Sequence, residues 1–529
     1  MAEADDRPFA PLRERVFAVL WAATVLGNIG SFMRDVASGW LATELSQHPA
    51  AVAAVQAAAA LPVFLLAIPA GVLSDILDRR RFLIAVQLLL AAASAGLMLL
   101  SHFGGLDLAS LLALTFLGGV GAALMAPTWQ SIVPSLVPRA QLRPAVALNS
   151  LGVNIARSIG PAAGGLLLAS WGAAVTYGLD LLSYALVIAA LLWWQPPAAA
   201  EDPLAEQFGG ALRAGLRYTR ANAELHRVLL RAGVFFAAAS APWALLPLVA
   251  RQLLGGSAGF YGLMLGAVGL GAIVGALALP RLRRRLGADG LLTLAALGCA
   301  GVMAGLAAAP PRPLALGLLL GLGAAWIIAL TTLSAVTQAI LPNWVRGRGL
   351  AVYLTVFNGA LAGGSLGWGA LAQPLGLVTA LWLAAGTTVV AALVARRWPL
   401  PAGEASLEPA HAWPEPEFAL ADPATRGRGP VLVSVEYRVA AADRPAFLAL
   451  AQRLALQRRG DGASAWGLCE DTADAESLVE WFCVPSWDEH LRQHRRLSRA
   501  AADLQQQLAA LHRGPQRPQV RHLLALPSP

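Results

Sequence analysis

The sequence predicts an all-α membrane protein of twelve transmembrane helices in two six-helix halves, followed by a small α+β domain of ferredoxin-like pattern. Three observations predict it. The 529 residues are 57% hydrophobic and only 13% charged, with a mean hydropathy of +0.59, too apolar for an ordinary globular surface. Apolar runs of roughly 20 residues, the length that crosses a hydrocarbon core of about 30 Å, follow one another up to residue 395. After a Pro-rich stretch the pattern changes to alternating strands and amphipathic helices.

The twelve runs lie at about 16–40, 51–73, 82–101, 108–131, 145–170, 173–194, 228–250, 258–280, 288–309, 314–340, 349–371 and 376–395. Over such lengths only helices satisfy their backbone hydrogen bonds inside lipid, whereas barrel strands alternate in polarity. Residues 1–194 hold the first six spans, and a polar linker, 195–227, marked by Pro196-Pro197 and Glu201-Asp202, leads to the second six in 228–397. The halves repeat one another. The charged loop from Asp75 to Arg81 has its counterpart in Pro280 to Arg285, and Leu136 to Arg139 has one in Leu341 to Arg346. Duplicated halves with a site at their interface are the usual build of secondary transporters. Pro242 and Pro247 read as helix breaks in span 7.

All 39 basic residues are arginine, and the net charge is +8. With a cytoplasmic N-terminus, 21 arginines, Arg231 just inside span 7 among them, lie toward the cytoplasmic side and 2, Arg251 and Arg312, on the other. That asymmetry puts both termini in the cytoplasm of a multi-pass inner-membrane protein. The basic balance is therefore topology, not the footprint of a nucleic-acid partner. The first apolar run is too long for a cleavable signal and reads as an uncleaved anchor. The three cysteines form no disulfide framework.

Residues 398–429 read as a flexible tether, and 430–529 as a cytoplasmic domain. Within it Val431 to Val439 alternates as a strand, Asp443 caps a helix to about Arg458, and Ala463–Glu470 with Leu478–Val484 reads as a hairpin. Ser486 caps a long helix to about Leu511, and Val520–Leu526 closes the order βαββαβ. Glu489, His490 and His494 share a helix, with the histidines at a metal-capable spacing. No further ligand accompanies them, so they are expected to face solvent, and no metal site, catalytic residue or cofactor is assigned. The chain carries no Gly-rich phosphate loop and no nucleophile elbow, so neither ATP-driven transport nor hydrolysis has support.

Four ionisable residues fall deep in spans: Arg34, Asp35, Arg157 and Asp180. Charges there are costly unless paired or wet, which makes each a functional candidate. Asp35 is the leading proton-coupling carboxylate, because desolvation and a neighbouring cation together set its proton affinity; the alternative is that Arg34 and Asp35 simply lie at the outer interface. In span 5, Gly160, Pro161, Gly164 and Gly165 give a small-residue stripe and a local break, suited to a gate and equally to close helix packing. Gly71 permits close helix approach, and Asp75 offers a carboxylate to a helix N-terminus. Asp78, Arg79 and Arg80 read either as gate residues or as topology determinants.

On these residues the chain from about 10 to 397 resembles the major facilitator superfamily, in its enterobactin-exporter-like, transmembrane secretion effector branch. Gly71 to Arg81 matches the superfamily's loop 2–3 signature, with Ile76 where the family often has Arg. Ala156 to Gly165 is similar to the antiporter motif of exporters. The resemblance implies an exporter of small amphipathic or hydrophobic compounds, with protons as coupling ion. It implies a latch between Asp75 and the start of span 11 at Arg346, and a cavity built from spans 1, 4, 7 and 10. Cavity candidates are then Asn28, Trp129, Phe235, Phe236, Trp243, Trp326, Thr331 and Gln338. Span 6 is peripheral in the family, which makes Asp180 a structural pair, with Arg157 as counter-ion of Asp35 or Asp180. Residues 430–526 resemble the antibiotic-biosynthesis-monooxygenase type of dimeric α+β barrel, implying a dimerising, regulatory or ligand-sensing module. Two other readings stay open: the tail is an enzyme acting on a compound the membrane part exports, or the whole is a membrane receptor that does not transport.

Overall fold

Each apolar run forms a helix whose ends fall near Gly, Pro or charged residues. The computed structural model describes residues 9–195, 218–220, 222–342, 345–401, 429–495 and 499–525. They divide into two compact units, Met1–Ala199 with Leu229–Ala335 and Ala351–Leu400, and Ala200–Val228 with Val336–Leu350 and Pro401–Pro529. Most of the linker and tether expected at 195–227 and 398–429 lies outside the described residues.

The first helices are α1 (Arg15–Leu45), α2 (Pro49–Ile76), α3 (Arg79–His102) and α4 (Leu108–Leu136). The next, Leu142–Trp193, bends at Gly172, whose φ of 82° suits a residue without a β-carbon. It therefore carries two spans, α5 before Gly172 and α6 after it. Span 7 is α7 (Ala223–Ala238) and α8 (Ala241–Leu248), ending in a π turn, Val249–Leu253. Then come α9 (Ala258–Arg285), α10 (Ala288–Ala307), α11 (Arg312–Ala339), α12 (Arg346–Leu375) and α13 (Leu377–Ala395). Eleven membrane-length helices among the described residues thus carry twelve spans.

The break in span 7 falls at Ala239 and Ser240, just before Pro242, because a proline is tolerated in the first turn of the helix that follows. The carbonyl freed at Ala237 accepts from Trp368 Nε1 at 3.0 Å and Ser240 Oγ at 2.8 Å. In the first half, Phe17, Leu20, Leu83, Trp129, Ile132, Leu148, Val187 and Leu191 make one buried apolar cluster that locks α1, α3, α4, α5 and α6 together.

In the second unit four strands, β1 (Val431–Arg438), β2 (Ala465–Glu470), β3 (Ser477–Val484) and β4 (Gln519–Leu524), form an antiparallel sheet of order β2-β3-β1-β4. With α14 (Arg444–Gly460), α15 (Trp487–Arg495) and α16 (Arg499–Ala510) this is the ferredoxin-like topology. The stretch read as one long helix after Ser486 is helical over Trp487–Arg495 and Arg499–Ala510, with 496–498 outside the described residues. Asp443 stands at the N-cap of α14 without a side-chain cap bond; its carboxylate accepts from Arg513 at 2.9 Å instead.

Candidate functional site

Arg34 is the hub of the first half. Its Nη1 donates to Tyr184 Oη at 2.7 Å and to Asp180 Oδ2 at 3.4 Å, and its Nη2 to Asp35 Oδ1 at 3.4 Å. Ser94 of α3 donates to Asp180 Oδ2 at 2.5 Å, and Ser31 shares a bond with Tyr184 at 2.9 Å. Asp180 is fully buried, and its Oδ1 has no hydrogen-bond partner among the described residues. One cation therefore serves two carboxylates, and Arg157, expected as counter-ion, makes no ion pair among the described residues with either. Asp35 differs from Asp180 in access. It lies ten residues inside the end of α1, yet its side chain is 57% exposed.

The exposed face of Asp35 looks toward the second half. Asn28, Asp35 and Gly39 lie seven and four residues apart, on one face of α1. A β-carbon at Gly39 would sit 2.9 Å from the Tyr261 hydroxyl of α9. Trp40 stacks on Tyr261 at 6.2 Å between centroids, and Arg251, 5.9 Å from the Trp40 ring, donates to the Thr43 carbonyl.

The glycines of span 5 are divided between two neighbours. β-Carbons at Gly160 and Gly164 would meet α1 at Phe32 and Met33, 2.7 Å away in each case; one at Gly165 would meet Gly262 Cα of α9 at 2.7 Å. Further along, Gly269 lies against the Arg157 carbonyl, and Gly259 against Ala169. The second seam, α2 with α12, joins Gly369 to Pro49, Ala50 and Ala53, and Gly359 to Phe64. Both seams close toward the face that carries Arg251 and Arg312. Toward the arginine-rich face, Val146, Ala147, Ser150 and Leu151 of α5 are exposed, and nothing lies within 4 Å of a β-carbon at Gly71. The cleft between the halves thus opens to the arginine-rich side.

The second half contributes an aromatic cluster. Trp326 lies 5.2 Å from Phe236, 6.4 Å from Phe235 and 5.0 Å from Trp243, and Phe236 packs edge-on against Phe357 at 4.5 Å. Phe357, absent from the sequence expectation, completes it. Trp243 Nε1 is buried without a partner among the described residues. Thr331 is half-buried, and Gln338 is exposed in the second unit. Trp129 belongs to the packed core of the first half, its Nε1 donating to Asn149 at 2.9 Å.

Asp78, Arg79 and Arg80 of the charged loop bond within their own half. Asp78 caps α3 by accepting from Arg81 N at 2.8 Å. Arg79 donates to the Ser131 carbonyl of α4 at 3.3 Å, and Arg80 to the Leu191 and Leu192 carbonyls of α6 at 2.8 and 2.5 Å. The Asp75 side chain lies outside the described residues. Arg346, in the second unit, donates to the Leu341 carbonyl at 3.4 Å.

In the α+β domain the polar groups expected on the surface turn inward. His490 is 1% exposed and Glu489 8%, because this face of α15 covers the sheet beside Trp487 and His522. The His490 ring lies 4.8 Å from both His494 and His522. Burial, reinforced by those two imidazoles, pushes the His490 pKa down to about 3, and burial also lowers His522. No cluster of three His, Cys, Asp or Glu among the described residues has metal-holding geometry. Beneath the helices, Glu480 accepts from Trp466 Nε1 at 3.0 Å and Arg458 Nε at 3.3 Å.

Two six-helix halves closing at one end around a central cleft define a transporter of the major facilitator fold. The chain belongs to the transmembrane secretion effector family, whose model matches residues 6–529, the α+β domain included. It is similar to the staphyloferrin A transporter of Staphylococcus aureus, at 23% identity over 270 residues, 50% of this chain and 67% of that protein. It is similar also to the enterobactin exporter EntS of Escherichia coli, at 33% identity over 243 residues, 43% of this chain and 54% of that protein. Among solved structures, the nucleoside transporter NupG superposes with a TM-score of 0.61 over 72% of this chain and 99% of its own, at 12% identity, a likeness of fold alone.

Proposed function

We propose that the protein is a secondary active exporter of the inner membrane, with both termini cytoplasmic. It moves a small amphipathic or hydrophobic compound, such as a siderophore, drug or secondary metabolite, outward by alternating access coupled to proton entry. The observation that carries this reading is Asp35: a carboxylate ten residues inside the end of α1, accessible, and tied to one shared cation. With the arginine-rich face in the cytoplasm, the structure is inward-facing, and substrate enters beside Asn28, Asp35 and the Trp326 cluster. Rocking the halves opens the α5–α9 and α2–α12 seams outward. A proton taken up by Asp35 removes its charge and leaves Arg34 to Asp180 and Tyr184, which resets the affinity of the cleft for its substrate.

The α+β domain we read as a ligand-sensing module, favoured by the buried polar side chains of His490 and Gln493, which meet each other but make no further hydrogen bond among the described residues. The expected homodimer through this domain belongs to the same reading.

The test is dye and siderophore uptake into energised everted vesicles, with and without a protonophore. Protonophore-sensitive uptake that persists unchanged in Asp35→Asn sinks Asp35 as the coupling residue; uptake insensitive to the protonophore in the wild type sinks proton coupling.

A further inference from the structure

We infer that the cleft selects an anionic amphiphile, whose acidic group is held by Arg157. The inference rests on the exporter reading and names the charge of its substrate.

The position comes first. Pro161, four residues beyond Arg157, turns its carbonyl to Gly262 of α9, and Gly164, seven beyond, lies against Met33 of α1. Residues at these spacings share a helix face. Arg157 therefore emerges between α1 and α9, on the side that Asn28 and Asp35 also face, and it is half-buried. Among the described residues it has neither hydrogen-bond nor ion-pair partner.

The distribution of charge comes second. Asp35 and Asp180 are both engaged by Arg34. Glu44, near the end of α1, accepts from Trp40 Nε1 at 2.8 Å. The opposite wall holds no alternative, because between Glu224 and Glu404 the chain contains a single acidic residue, Asp289. That carboxylate is paired with Arg231 at 2.8 Å. Arg157 is thus a positive charge in a membrane-embedded cleft with no carboxylate within ion-pair distance of it among the described residues.

A guanidinium in that position is expensive to keep unless something neutralises it. A carboxylate, catecholate or phosphate does so with two parallel hydrogen bonds, a geometry that guanidinium matches and ammonium does not. Trp243 and Phe357, the half-buried edge of the aromatic cluster around buried Phe236 and Trp326, supply the apolar contact for the rest of such a molecule. A cation meets the same field with the opposite sign and is disfavoured.

Three fluorescent probes on one scaffold separate charge from shape: dansylglycine (carboxylate), its amide (neutral) and dansylcadaverine (cation). Binding to the full-length protein in nanodiscs is read by fluorescence, and transport by uptake into energised everted vesicles, which present the cytoplasmic face to the probe. Dansylglycine is expected to bind at least tenfold tighter than its amide. Arg157→Gln should abolish that difference and Arg157→Lys should retain part of it, which guards against a folding defect. Preference for the amide or the cation, an anion preference that survives in Arg157→Gln, or no binding of any probe overturns the proposal. So does a change in protonophore sensitivity alone in Arg157→Gln, which would make Arg157 a partner of Asp35 in another state. Anion-selective binding without uptake leaves the site standing and removes the exporter reading; uptake without anion preference does the reverse.

Discussion

Gly262→Ala is expected to loosen the outer seal of the cleft. The new β-carbon would lie 2.6 Å from the Pro161 carbonyl oxygen, 2.7 Å from Gly165 Cα and 3.0 Å from Gly165 N. All three are backbone atoms of α5, so no rotamer change relieves the overlap. Restoring ordinary contact at 3.4 Å requires α5 and α9 to part locally by about 0.8 Å. Overpacking of this kind costs about 1–3 kcal/mol, and it falls only on the state in which the seam is closed. A differential cost of that size shifts the balance between two conformations by about 5- to 150-fold. The assay places a cysteine at Asn28 and measures its modification by a membrane-impermeant maleimide added to intact cells. On the proposed orientation Asn28 is reached from outside only when the outer seam opens, so the substitution should raise the labelling rate within that range. An unchanged or slower rate would refute the idea that the α5–α9 contact is the seal.

Cysteines at Ala169 and Gly259, whose β-carbons would lie 3.7 Å apart, are spaced for a disulfide; the double variant should cross-link on the oxidising face, stop transport, and recover on reduction. Asp180→Ala leaves Arg34 without its buried partner and should lower stability by about 3–5 kcal/mol, read as a large drop in melting temperature in detergent, whereas Arg34→Leu/Asp180→Leu together should lose less. In the α+β domain, His490 is held neutral by burial, with its pKa near 3 against an ordinary value of about 6.5. The unfolded chain then binds more protons below pH 6.5, so stability falls as pH falls between those values. From pH 7.5 to 5.5 the loss is about 1.4 kcal/mol. Urea unfolding of residues 430–529, whose apolar clusters lie within that segment, should show it, and His490→Leu should flatten the profile.

Span number and the ferredoxin-like order were legible because both depend on local pattern: apolar length against bilayer thickness, and alternation against helical period. Pairing across the bundle was not. Arg34 and Asp180 are 146 residues apart, and nothing in either neighbourhood points to the other by itself. A signal was nonetheless present. Ser31, Arg34 and Ser38 stand three and four residues apart on α1, and Tyr177, Asp180 and Tyr184 repeat the same spacing on α6. Two polar stripes of equal period in otherwise apolar helices are what a buried, hydrogen-bonded seam requires, and Ser38 indeed meets Tyr177 at 3.1 Å while Ser31 meets Tyr184.

The same reasoning explains why Trp129 and Glu489 were misplaced by type alone. An aromatic residue in span 4 fits a cavity wall as well as a core, and a Glu in an amphipathic helix fits solvent as well as a covered face. Only contacts decide between them, and here Trp129 joins the α1–α6 core and α15 turns Glu489 and His490 inward. Charge behaves differently, because its sum can be taken without knowing any contact. From residue 225 to 403 the sequence holds one carboxylate, so whatever the packing, the second half offers almost nothing to neutralise an arginine across the cleft. That scarcity was readable in the sequence, and with Arg157 located beside α1 and α9 it becomes a statement about which substrates the cleft accepts.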